Sequence, residues 1–92
     1  MKLELSEIPR MRHALGINEW RTFPDESHYV CHRNYYCARG DMKGLWEGLV
    51  NKGFAKRLTE FYSNDDMTYY SVSENGIKAL EKELNATIEV ID

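Results

Sequence analysis

The series Met42, Leu45, Trp46, Leu49 and Val50 constrains this chain more than any other feature. Its i, i+3, i+4, i+7, i+8 spacing lays one apolar stripe along a helix, and that stripe must be covered by other elements. Asp41, after Gly40, is the expected N-cap, and Gly53 is the expected stop. A chain of 92 residues has room to cover one such helix in one small core, so a single domain over 1–92 is expected and a large enzyme is excluded.

The flanking segments supply the cover. Ser6 is a candidate N-cap for a first helix carrying Ile8, Met11 and Leu15, with Pro9 tolerated in the first turn and Gly16 as a left-handed stop. Asn18, Pro24, Asp25 and Ser27 punctuate a loop over 17–27. The aromatic-rich run from His28 to Cys37 predicts an extended segment, or one turned back on itself at Arg33-Asn34. Ala55 to Tyr62 and Thr68 to Val72 read as two strands joined by a polar hairpin loop, Ser63 to Met67. Ser73 caps a last helix with the narrow stripe Ile77, Leu80 and Leu84. Thr87 to Ile91 alternates like a strand, whose expected partner is either Lys2 to Leu5 or the same edge of a second copy. The predicted class is α+β, with about three helices, a β-hairpin and short additional strands. The predicted core is Ile8, Met11, Leu15, Leu45, Trp46, Leu49, Val50, Leu58, Ile77, Leu80 and Leu84.

This order of elements resembles a known superfamily. Leu45 to Arg57, then a hairpin, then Tyr70 to Leu80 with Gly76 at the fourth position of a Ser-capped helix, is similar to the recognition helix, wing and following helix of winged-helix proteins. The resemblance covers about residues 41–84 and implies a small winged-helix-like domain. Where that pattern places a further helix before the recognition helix, residues 17–40 hold a loop and an extended segment, which weakens the implied docking in a major groove. Arg12-His13-Ala14-Leu15-Gly16 and Arg33-Asn34-Tyr35-Tyr36 also resemble small phage- and prophage-encoded proteins, a likeness that implies no particular activity.

Charge and composition narrow the function classes. The net charge of -3 divides into +2 over residues 1–60 and -5 over 61–92, so a polyanion would meet the first two thirds of the chain. No apolar run reaches the roughly 20 residues of a membrane span, and the first residues lack a signal-peptide pattern, so a soluble cytoplasmic protein is expected. Two cysteines are too few for a disulfide scaffold. His28, Cys31, His32 and Cys37 are zinc-ligand types, but on one extended strand the cysteines face one side and the histidines the other, so no metal is expected. A Cys31 or Cys37 nucleophile beside a histidine is chemically conceivable. Phosphate-cradling glycine loops and the hydrolase and metalloprotease signatures are absent, so neither catalysis nor a cofactor is expected.

Two surfaces remain. With its stripe turned inward, the central helix presents Gly44, Glu47, Gly48 and Asn51. Lys43, Asn51, Lys52, Lys56 and Arg57 are the candidate nucleic-acid contacts, opposed by Glu47 in their midst. The two glycines mark a place where another backbone comes close: a protein partner, a second copy, or the chain's own N-terminal half. Gly44, Glu47, Gly48, Tyr62 and Tyr69 form the candidate partner face, since adjacent tyrosines must send one ring to each side of a strand. The leading expectation is a non-catalytic phage- or prophage-type accessory protein that binds a protein partner or itself, and the alternative is a winged-helix DNA-binding regulator that binds DNA weakly.

Overall fold

A computed structural model describes residues 3–17, 28–59 and 67–91. Among them are three helices and five strands in two small sheets, an α+β arrangement. Residues 18–27 of the loop expected over 17–27, Lys2, the strand end from Glu60 to Tyr62 and the hairpin tip at Ser63 to Asp66 lie outside the described residues.

Helix α1 spans Ile8–Leu15 and ends at Gly16, with φ +75° as the sequence implied. Its N-cap is Glu7 rather than Ser6. The Glu7 carboxylate is tied elsewhere, accepting from the Glu4 backbone N–H at 2.7 Å and from Lys52 Nζ at 2.9 Å. That second contact fastens the start of α1 to the end of helix α2, Asp41–Asn51, whose N-cap is Gly40 rather than Asp41. Asp41 is instead the first helical residue, where its charge still suits the positive end of the helix dipole. Gly53, at φ +81°, turns the chain out of α2, and the Phe54 N–H returns to the Leu49 carbonyl at 2.9 Å.

The segment from His28 to Arg39 is two strands rather than one. Strand β1, His28–Cys31, and strand β2, Tyr36–Arg39, belong to different sheets. The break is organised by Asn34. Its amide donates to the Val72 carbonyl at 2.9 Å and accepts from the Val72 N–H at 2.8 Å. Because Tyr36 pairs with Tyr70, position 34 falls opposite Val72, and the Asn34 side chain fills the ladder place that its backbone leaves. The backbone is thereby free to dock on α1, with Tyr35 N–H donating to the Ala14 carbonyl at 3.1 Å. Asn34→Ala would strand two ladder groups of Val72, and a loss of about 2 kcal/mol is expected in urea unfolding. Asn34→Asp should lose at least as much, because its second carboxylate oxygen would face the Val72 carbonyl, to which the amide donates; a variant as stable as wild type would contradict this role.

Strand β3, Ala55–Arg57, pairs antiparallel with β4, Met67–Val72, which also pairs with β2, giving the order β2-β4-β3. The hairpin expected from the sequence is present, with β4 beginning one residue early at Met67 and β3 ending at Arg57. Ser73 follows directly and caps α3, Glu74–Leu84, through its hydroxyl accepting from Gly76 N–H at 3.1 Å. Asn85, in the left-handed region at φ 52°, then turns the chain into β5, Thr87–Val90. Strand β5 lies parallel to β1, with His28 opposite Thr87 and Cys31 opposite Val90. Among the described residues its ladder partner is β1, and Leu3 to Leu5 form no strand.

The core is centred where α2 crosses the three-stranded sheet. Trp46, Leu49, Met11, Leu15, Leu80, Tyr70 and Val72 are fully enclosed, while Ile8, Leu45, Val50, Ile77 and Leu84 are half-buried around them. Leu58, expected in the core, is half-buried and lies outside this packed cluster. It follows β3 with its N–H on the Tyr69 carbonyl, continuing the face of the sheet turned away from α2. Among the described residues, no helix is long and apolar enough to cross a membrane.

Candidate interaction surface

Alternation along the sheet separates two sets of side chains. Tyr36, Tyr70 and Arg57 share the face beneath α2, whereas Cys37, Arg39, Met67, Tyr69, Ser71 and Lys56 share the opposite face. On the α2 side, Trp46 stacks on Tyr70 with ring centroids 5.7 Å apart and lies 5.1 Å from Tyr36, which meets His13 edge-on. Glu47 follows Trp46 on α2 and so reaches the rim of this stack. Its carboxylate accepts from Tyr70 Oη at 2.6 Å and from Arg57 Nε at 2.8 Å, and a second Arg57 nitrogen completes a two-pronged ion pair.

These contacts change what the candidate residues offer. The bond from Arg57, then that from Tyr70, holds the Glu47 carboxyl below its ordinary range, so Glu47 is anionic but matched by Arg57. It does not stand as a bare charge in the middle of the helix face. Lys52 points to Glu7 instead, and Lys56, which is exposed, lies on the far face of the sheet opposite Ser71. Lys43 is half-buried and Asn51 exposed on α2. The structure thus sends Lys52, Lys56 and Arg57 in three directions rather than gathering them into one basic patch.

Gly44 is exposed and Gly48 half-buried, and, apart from the helix's own adjoining backbone and the neighbouring residues in the chain, no atom of the described residues lies within 4 Å of where a Cβ would sit on either. The described residues of the N-terminal half, 3–17 and 28–40, do not cover them, and the rest of that half lies outside the described residues. Of the remaining partner-face candidates, Tyr69 is half-buried on the opposite sheet face and Tyr62 lies outside the described residues. The helix glycines and Tyr69 are therefore two separate surfaces.

The cysteines are also parted. Cys31 is buried in β1, and burial pushes its thiol up, away from the thiolate that a nucleophile needs. Cys37 is half-buried on the outer sheet face, with its Sγ 3.7 Å from the Met67 sulfur. Among the described residues, no three His, Cys, Asp or Glu side chains converge as a metal would require.

Tyr70 gives the site a measurable signature. Burial, reinforced by the Glu47 bond, pushes its phenol up to about 12. An unfolded tyrosine ionises near pH 10, so above that pH the unfolded chain releases a proton that the native chain retains. The stability that Tyr70 contributes is complete below about pH 10 and is lost as pH rises toward about 12. Urea midpoints measured from pH 8 upward should fall more steeply in the wild type than in Tyr70→Phe. Parallel curves would show that Tyr70 ionises as an ordinary tyrosine.

Fold and surface together define a small α+β domain with one helix laid across a three-stranded sheet and its two glycines facing outward. Comparison with protein-family models, with curated proteins and with solved structures finds no match to this chain.

Proposed function

We propose that this chain is a winged-helix-like, non-catalytic accessory protein of the phage or prophage type that holds a protein partner against the exposed face of α2. In this reading β3 and β4 are the wing, and β2 runs into α2 at the place where a winged helix has a further helix. The strand order β2-β4-β3 and the Ser73-capped helix after the wing support it.

One observation carries the choice of a protein over a DNA site. Arg57 is bound to Glu47 and Lys52 to Glu7, while Lys56 faces the other side of the sheet. Cations arranged this way have no common groove to enter, and duplex DNA is gripped chiefly through its phosphates. The open glycines instead allow a close backbone approach at the centre of α2.

The test is crosslinking capture of the partner by wild type, Gly48→Arg and Lys56→Glu chains. Arginine is the better helix former, so a loss of binding in Gly48→Arg would not come from unfolding. The partner should be lost with Gly48→Arg and kept with Lys56→Glu. Duplex DNA should bind no tighter than about 10⁻⁶ M at physiological salt. A duplex bound near the nanomolar range and lost with Lys43→Glu or Lys56→Glu would establish the regulator instead.

A further inference from the structure

The sheet face turned away from α2 carries aromatic rings and cations. Its ladder positions hold Cys37 opposite Tyr69, Arg39 opposite Met67 and Lys56 opposite Ser71. Tyr35, 46% exposed, adjoins this face at the entry to β2, and Arg33 lies over its ring with the guanidinium carbon 4.9 Å from the centroid. Arg33 is held there by Nε donating to the Ala14 carbonyl, and the Tyr35 backbone donates to the same oxygen. The aromatic plane is thus fixed before any ligand arrives.

We infer that this face binds single-stranded nucleic acid, with Tyr35 and Tyr69 as stacking platforms and Arg33, Arg39 and Lys56 as phosphate contacts. Charge complementarity selects this occupant: the face carries these cations, and none of its ladder positions among the described residues holds a carboxylate. Rings exposed on a sheet meet bases only when those bases are unstacked, which favours a single strand over a duplex. Tyr69 is opposite Cys37, and Tyr35 enters β2 two residues before Cys37, on the diagonal from Tyr69, so the two rings flank one end of this face. The surface is separate from the α2 face and does not depend on the partner proposed there.

Fluorescence anisotropy of labelled oligo-dT and oligo-U, and of a duplex of the same length, tests this with the whole chain. The single strands should bind more tightly than the duplex, and binding should weaken between about 50 and 200 mM salt. Tyr35→Ala should weaken it about 5- to 150-fold, the range of one lost base stack, while Tyr35→Phe retains it. Lys56→Glu or Arg39→Glu should flatten the salt dependence, and Gly48→Arg should leave it unchanged. Absence of binding at low salt would overturn the inference. So would equal duplex binding insensitive to Tyr35→Ala, or loss of the captured protein partner in Tyr35→Ala without any oligonucleotide binding. A Gly48→Arg chain that loses its protein partner yet still binds oligo-dT would separate the two surfaces.

Discussion

Gly76→Ala is expected to unfold most of the population at a temperature where the wild type is native. A Cβ at this position would lie 2.0 Å from the Phe54 carbonyl oxygen and 2.8 Å from Val72 Cγ1. The obstacle is backbone, and that backbone is committed, because the Phe54 carbonyl accepts the Ser73 N–H at 2.9 Å. Relief requires moving the first turn of α3 off Phe54 at the start of β3, which also pulls Gly76 N–H from the Ser73 hydroxyl. A loss of about 3 kcal/mol or more is expected, against a total of roughly 5–10 kcal/mol for a domain of this size. Gly44→Ala and Gly48→Ala form the internal control. Nothing among the described residues meets their Cβ, so each should raise stability by up to about 1 kcal/mol. Thermal melts of the three variants check this, and a Gly76→Ala melt matching the wild type would refute the close approach.

Trp46→Ala should cost about 3–5 kcal/mol. Trp46 is 0% exposed and its ring touches both Tyr36 and Tyr70, so its removal opens the centre of the core. Among the described residues its buried indole nitrogen meets no hydrogen-bond partner, and Trp46→Phe keeps an aromatic ring in the core, so it should cost clearly less than alanine. The two substitutions should also differ in the ionisation of Tyr70. With the indole gone, water reaches the phenol, and its pKa should drop from about 12 toward 10, read by absorbance titration. Equal urea midpoints for the phenylalanine and alanine variants would show that a phenyl ring restores neither volume nor stacking at this place, and would refute the expectation.

These two positions show how differently the sequence exposes its constraints. Trp46 belongs to the apolar series of α2 and is legible from spacing alone. Gly76 is legible as part of a pattern, Ser73 followed by a glycine at the fourth position, but its physical reason is the Phe54 carbonyl, far away in the chain. Tyr70 was not legible as core. It alternates with Tyr69 in a run of aromatic residues, and nothing local says which ring turns inward; α2 decides it by placing Trp46 and Glu47 over one face. The candidate cations were identifiable by type but not by availability. Lys52 meets Glu7 across 45 positions and Arg57 meets Glu47 across 10, and no spacing rule anticipates either pair.

The sequence by itself determined the local elements: α2 from its apolar stripe, the stop of α1 at Gly16, the hairpin of β3 and β4, and α3 from the Ser73 cap. Each follows from steric preference, periodicity or capping within a few residues, which acts wherever the segment lies. Only the tertiary structure decided that β5 runs beside β1, that Asn34 splits one extended run into strands of two sheets, and which lysines and arginines remain turned outward. Those outcomes rest on hydrogen bonds and ion pairs between distant residues. Their partners become neighbours only after the core around Trp46 has brought the helices and sheets together.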